Sequence, residues 1–236
     1  MPAANRRRLG SLIVSVRRLT ESWLACVPVA DDAARAVGAD LLARYEEPHR
    51  HYHDRRHLLE VLTAVDRLEA DALNVQDVRL AAWFHDAIYL VDASPGDNEH
   101  RSAALAAAAL SALGLPLARV ERVAALVLVT EAHQPGSDPD AQVLSDADLA
   151  ILAATPARYA GYTAGVRAEY AAVPAADFRR GRAEILQAFL QRPQVYATTT
   201  AYTLWEQTAR RNVADEIAML RGPGRLLWGA SGVEGD

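Results

Sequence analysis

The chain contains no lysine, so all 25 of its basic residues are arginine. That removes a P-loop lysine, a Schiff-base lysine and a lysine general base. Cysteine is almost as scarce. Cys26 stands alone, which excludes an internal disulfide, a CxxC redox centre and any multi-cysteine zinc site. No apolar run approaches the roughly 18–20 residues needed to span a membrane, so no membrane partner is expected. An excess of basic charge is also missing. A net charge of −5 gives no electrostatic footprint for nucleic acid. Strand signals are nearly absent, because long alternating Val/Ile/Thr runs do not occur.

What is present is ample apolar material. Hydrophobic residues make up 51% of 236, enough for a sizeable core in one domain or one domain with an appendage. Apolar residues recur at three-and-four spacing, and the spacing predicts helices over Ser11–Cys26, Asp31–Tyr45, Asp54–Ala70, Gln76–Tyr89, Asn98–Leu113, Leu117–His133, Asp146–Ala153, Pro156–Tyr170, Ala175–Gln191 and Thr199–Leu220. Ala93–Asp97 and Gln134–Asp140 read as linkers. The expected fold is all-α, an irregular helical bundle over 31–221. A basic, amphipathic helical segment precedes it over 1–30, and a glycine-rich acidic tail at 222–236 reads as frayed. The basic start has a weak transit-peptide flavour. An amphipathic first helix is the preferred reading, and the cytoplasm is the expected location.

Histidine is where chemistry concentrates. His85-Asp86 interrupts the apolar run AAWFHDAIY, where an ionised aspartate is costly to bury without a partner. His57 lies on a preceding helix, and Asp146 opens a later one in LSDADLAIL. Two imidazoles and two carboxylates suit a divalent ion with positions left for water and phosphate. The plainer alternatives stay open: Asp146 and Asp148 as helix N-caps, His57 as a surface residue beside Arg55 and Arg56. Trp83, Phe84, Tyr89, Tyr159 and Tyr162 could stack a base, although core packing is the commoner use of any one of them.

The order His57 … His85-Asp86 … Asp146 resembles the H…HD…D signature of the HD superfamily of metal-dependent phosphohydrolases. The flanks extend the likeness. YxxPxRxYHxxxH is matched by Tyr45, Pro48, Arg50, Tyr52, His53 and His57. DNExxSA is matched by Asp97, Asn98, Glu99, Ser102 and Ala103. Thr130 and His133 match TxxH, and Asp146–Leu152 reads DADLAIL. Together these resemble a bacterial subfamily of predicted metal-dependent HD phosphohydrolases, over roughly Leu41 to Tyr170.

The resemblance implies an all-α, HD-domain-like fold with metal ligands His57, His85, Asp86 and Asp146 at its centre. The cofactor implied is one divalent ion or more, of Mn, Mg, Fe, Co, Ni or Zn. The activity implied is hydrolysis of a small phosphorylated metabolite, with a nucleotide as the leading class, by metal-activated water. A positioned acid must protonate the leaving oxygen. Asp97 and Glu99 are the candidates, against helix capping as the alternative. Arg50, His53 and His133 are the candidates for holding substrate, Arg50 through its planar fork. Two rivals remain: a phosphodiesterase or pyrophosphohydrolase acting on a signalling nucleotide, and a module that binds a nucleotide without turnover.

Overall fold

The computed structural model describes residues 16–222. The expectations for the basic start and for the tail beyond residue 222 lie outside them. Every regular element among the described residues is helical, and no strand occurs. None of the helices is long and apolar enough to cross a membrane.

The first helix, α1, is described over 16–26. It packs on α2 (Asp32–Arg44), whose N-terminus is capped by the Asp31 side chain. The buried Trp23 indole donates to the Ala34 carbonyl at 2.7 Å. Gly38 makes that approach possible, because a Cβ there would sit 2.5 Å from the indole ring. An irregular stretch then leads to α3 (Arg55–Arg67), where the Asp54 carboxylate accepts the Arg56 and His57 N–H groups. This is the exchange of orphan first-turn donors for a side-chain acceptor that makes aspartate a good N-cap.

Helix α4 (Val75–Phe84) is the centre of the fold. It touches α3, α5 (Asp97–Ala112), α6 (Leu117–Val129) and α7 (Pro139–Asp148). Its C-terminal half is enclosed and apolar: Leu80, Ala81, Ala82, Trp83 and Phe84, with Val78 before them, are all at 0% exposure. The remaining elements are α8 (Pro156–Glu169), α9 (Ala175–Gln191) and α10 (Thr199–Arg221). The last two pack on each other, and α10 also covers a 3₁₀ turn, Leu149–Ala153, that continues α7.

Among the boundaries that differ from the sequence expectation, two shape the site. Helix α4 ends at Phe84, five residues before the expected Tyr89. The carbonyls that would continue the ladder are taken by side chains from elsewhere. Arg50 donates to the Asp86 and Ala87 oxygens at 2.7 and 3.3 Å. Ser102 bonds both the N–H and the oxygen of Ile88, and Asn98 does the same for Leu90. Helix α7 begins at Pro139, inside the expected linker. Asp138 caps its N–H groups and proline occupies the first helical turn, where a missing donor costs nothing. Asp146 is therefore seven residues into a helix and opens nothing.

Candidate metal centre

Three elements converge where α4 stops. From α3 comes His57, from the α4 C-terminus His85 with Asp86, and from the last turn of α7 Asp148. The two imidazole Nε2 atoms are 3.1 Å apart. Asp86 Oδ2 lies 3.3 Å from His57 Nε2 and 3.1 Å from His85 Nε2. Asp148 Oδ1 lies 3.2 and 3.6 Å from the same two nitrogens. Both imidazoles are buried, while each carboxylate keeps 16% of its surface open. His57, His85 and Asp86 each offer a ligand atom within 4.8 Å of the others.

The tautomer of His85 is set by its other nitrogen. Nδ1 lies 2.8 Å from the Ala82 carbonyl oxygen, which can only accept, so Nδ1 carries the proton and Nε2 faces the cluster with a lone pair. Two imidazole nitrogens packed against two carboxylates favour positive charge between them. Burial works against protonating His57, but Asp148 and Asp86 outweigh it and raise its pKa to about 9. Burial likewise opposes protonation of His85, and Asp86 overcomes it and pushes the pKa well up. The carboxylates move the opposite way. Burial favours their neutral forms, yet His85 foremost drives both Asp86 and Asp148 down. A divalent cation meets the same demand, with nitrogen and oxygen donors of the kinds that bind first-row transition ions and Mg²⁺.

Asp146 is not in this cluster. Its carboxylate accepts the Ala197 N–H at 2.8 and 3.0 Å and the Thr198 N–H at 2.7 Å. Burial outweighs those bonds and raises its pKa to about 6. The place expected for it beside His57 and His85 is taken by Asp148, two residues on. Successive helical residues diverge by about 100°, so the two carboxylates leave α7 on opposite sides.

Arg50 is likewise no phosphate clamp. Its side chain is fully buried, and its donors are spent on Glu47 and on the carbonyls of His53, Asp86 and Ala87. It staples the His53 segment to the residue after His85. His53 stands beside the cluster, its ring 5.6 Å from that of His57 and stacked on Tyr89 at 4.1 Å. His133 sits past the end of α6 at φ 47°. Its Nε2 is 3.6 Å from the second Asp148 oxygen, and burial lowers its pKa.

Glu99 is half-buried in the first turn of α5. Burial first, and then the charges of Asp86, Glu131 and Asp148, raise its pKa. Asp97 is exposed at the first position of the same helix, where an acid complements the positive helix end. Of the aromatic residues, Trp83 and Phe84 are sealed in the core. Tyr159 donates to Glu216, and Tyr162 accepts from Arg182.

A cleft of about 350 Å³ opens onto His57 and Asp148 between α3, α7 and the start of α8. Arg67 and Arg158 stand on its walls, the latter held by Glu60 at 2.6 Å. The spacing of the sequence motif gave no hint of either arginine. Nor did it flag Glu169, which lies 116 residues from His53 yet bonds it directly.

Comparison of the chain with protein-family models, with curated proteins and with solved structures finds no match. The residues themselves carry the functional reading.

Proposed function

We propose that this chain is a metal-dependent phosphohydrolase of the HD type, acting on a small phosphorylated metabolite. The observation that carries the reading is the convergence of His57, His85, Asp86 and Asp148, with the His85 lone pair turned inward. Three of those residues follow the ordered H…HD signature, and the fourth lies two positions from the aspartate that the signature marks. Buried carboxylates of this kind are retained when paired or when they coordinate a metal.

The residues fit a divalent ion, and such an ion supplies a water of lowered pKa and neutralises a phosphoryl oxygen. The chain's own groups do the rest. Asp86 and Asp148 orient the two imidazoles. Glu99, whose pKa is raised first by burial, is the group offered to protonate the leaving oxygen. The cleft admits the phosphorylated group beside His57 and Asp148, with Arg67 and Arg158 in place of Arg50 as cationic partners. Its volume suits a small metabolite, a nucleotide among them.

The test is metal analysis of the purified protein, followed by phosphate release over a panel of phosphorylated metabolites with Mn²⁺, Mg²⁺, Fe²⁺, Co²⁺, Ni²⁺ and Zn²⁺. Stoichiometric metal and metal-dependent phosphate release are expected. Absence of both metal binding and turnover with every member of the panel would overturn the reading. Binding of a nucleotide with no product, by contrast, identifies a recognition module.

A further inference from the structure

One buried carboxylate beside the candidate metal centre has two distinct functions in its two oxygens. Glu169, the last residue of α8, has a side chain with no exposed surface. Its Oε1 accepts three successive backbone N–H groups, from His51, Tyr52 and His53, at 2.8, 2.7 and 2.9 Å. This is an anion seated in a backbone nest, and it accounts for the irregular segment before α3. Gly165, one turn earlier on α8, lets the two approach, because a Cβ there would lie 2.7 Å from the His51 oxygen.

The second oxygen is not needed for that purpose. Oε2 lies 2.8 Å from His53 Nδ1 and accepts the Tyr89 hydroxyl at 3.2 Å. An ionised carboxylate can only accept, so His53 Nδ1 carries its proton toward Glu169. The ring is then fixed by Oε2, by the Tyr89 stack, and by Tyr52 edge-on at 4.7 Å. Its Nε2 makes no hydrogen bond among the described residues and is not sealed away, since the side chain is 21% exposed. Arg50 Nη1 ties the His53 carbonyl (3.0 Å) to that of Asp86 (2.7 Å). A tautomerically fixed ring is thus held against the cluster with a free lone pair.

We infer that Glu169 is a positioning residue for His53, holding the Nδ1–H tautomer so that Nε2 offers a hydrogen-bond acceptor to the water or hydroxyl reacting beside His57 and Asp86. The inference rests on the phosphohydrolase reading for what reacts there. It does not rest on that reading for the pairing itself.

Glu169→Gln separates alignment from scaffolding. The amide oxygen can keep the three backbone N–H groups. The amide NH₂ then faces Nδ1, which must become the acceptor, and the proton moves to Nε2. His53→Asn tests the ring while leaving the nest intact, should the first variant fold poorly. The measurements are long-range ¹H–¹⁵N NMR of the imidazole nitrogens in the full chain loaded with Mg²⁺ or Zn²⁺, metal content, and steady-state hydrolysis of p-nitrophenyl phosphate.

The parent should show His53 as the Nδ1–H tautomer and Glu169→Gln as the Nε2–H tautomer. Both variants should keep metal and melt as cooperatively as the parent. Both should lose about 10²-fold in kcat, the lower end of acid–base and orienting effects, with KM moving much less. A parent in the Nε2–H form overturns the inference. So does a reversed tautomer with parental kcat, or a rate loss that merely follows the folded fraction. A parent that releases no phosphate from p-nitrophenyl phosphate or from any member of the metabolite panel overturns the phosphohydrolase reading, whereas a parent that turns over and variants that match it overturn only the role of this pair.

Discussion

Asp146 and Asp148 sit two residues apart on one helix and face entirely different surroundings. Asp146 meets backbone N–H groups of the segment before α10. It belongs with Asp140, which holds the N–H groups of Leu73 and Asn74, and with Glu206, which holds those of Val195 and Tyr196. These carboxylates are satisfied by the chain itself, and each fixes a loop. Asp148 meets two imidazole nitrogens and a third histidine beyond. Nothing on the chain but a proton can balance that arrangement. Asp146 faces backbone donors that cannot change their charge, whereas Asp148 faces imidazoles that can exchange a proton for a cation.

The largest expected effect comes from exchanging the two roles. Asp148→Ala or His85→Ala should lower metal affinity by more than the roughly 10–100-fold that loss of an outer partner costs, and abolish turnover, as read by metal analysis and phosphate release. Asp146→Ala should do the reverse. It should retain metal in the folded protein and lose about 1–3 kcal/mol of stability in denaturant unfolding, because the buried Thr198 N–H loses its acceptor. If Asp146→Ala loses the metal and Asp148→Ala keeps it, the two carboxylates have been assigned the wrong way round.

A smaller effect sharpens the edge of the cluster. Glu99→Gln should keep the metal and lower kcat by about 10²-fold on a substrate with a poor leaving group, while Asp97→Asn should stay within a few-fold. Equal losses would remove the distinction between the half-buried and the exposed acid. Arg50→Ala should cost stability, as buried carbonyls lose their donors at about 1–3 kcal/mol each, with KM for the phosphorylated substrate unchanged in the folded fraction. Arg158→Ala should instead raise KM.

The smallest effect concerns pH. Burial alone would raise the Glu169 pKa, but His53 and the backbone N–H groups bring it down to about 2. A lowered carboxylate pKa gives stability that is complete above the unfolded value of 4.5 and lost as pH falls toward 2. The parent should therefore show a steeper fall in Tm than Glu169→Gln over that window. Parallel Tm profiles would mean that the carboxylate charge contributes nothing to the nest.

The helical class was legible because periodicity survives without any knowledge of neighbours. So were His57 and the His85-Asp86 pair, whose order along the chain matches their meeting in space. The fourth carboxylate was missed by two residues. Choosing between Asp146 and Asp148 requires the rotational phase of α7, and that phase depends on a start at Pro139 that the Gly/Pro-rich stretch obscured. Arg50 matched the motif, yet its partners are carbonyls, which no residue pattern reveals. Asn98 and Ser102 also matched, and their use is to satisfy the backbone of 88–90 so that α4 can stop where it does. Glu169 had no local signal at all, since its partners lie more than a hundred residues away.

That separation also orders events during synthesis. His51, Tyr52 and His53 leave the ribosome 116 to 118 residues before the carboxylate that receives their N–H groups. The hydrogen bonds that seat these residues cannot form before α8 has been made. A nascent chain released before α8 therefore holds His57, His85 and Asp86 but has nothing to seat the segment that leads into them. A residue of the second half of the chain thus completes the surroundings of histidines encoded in the first half.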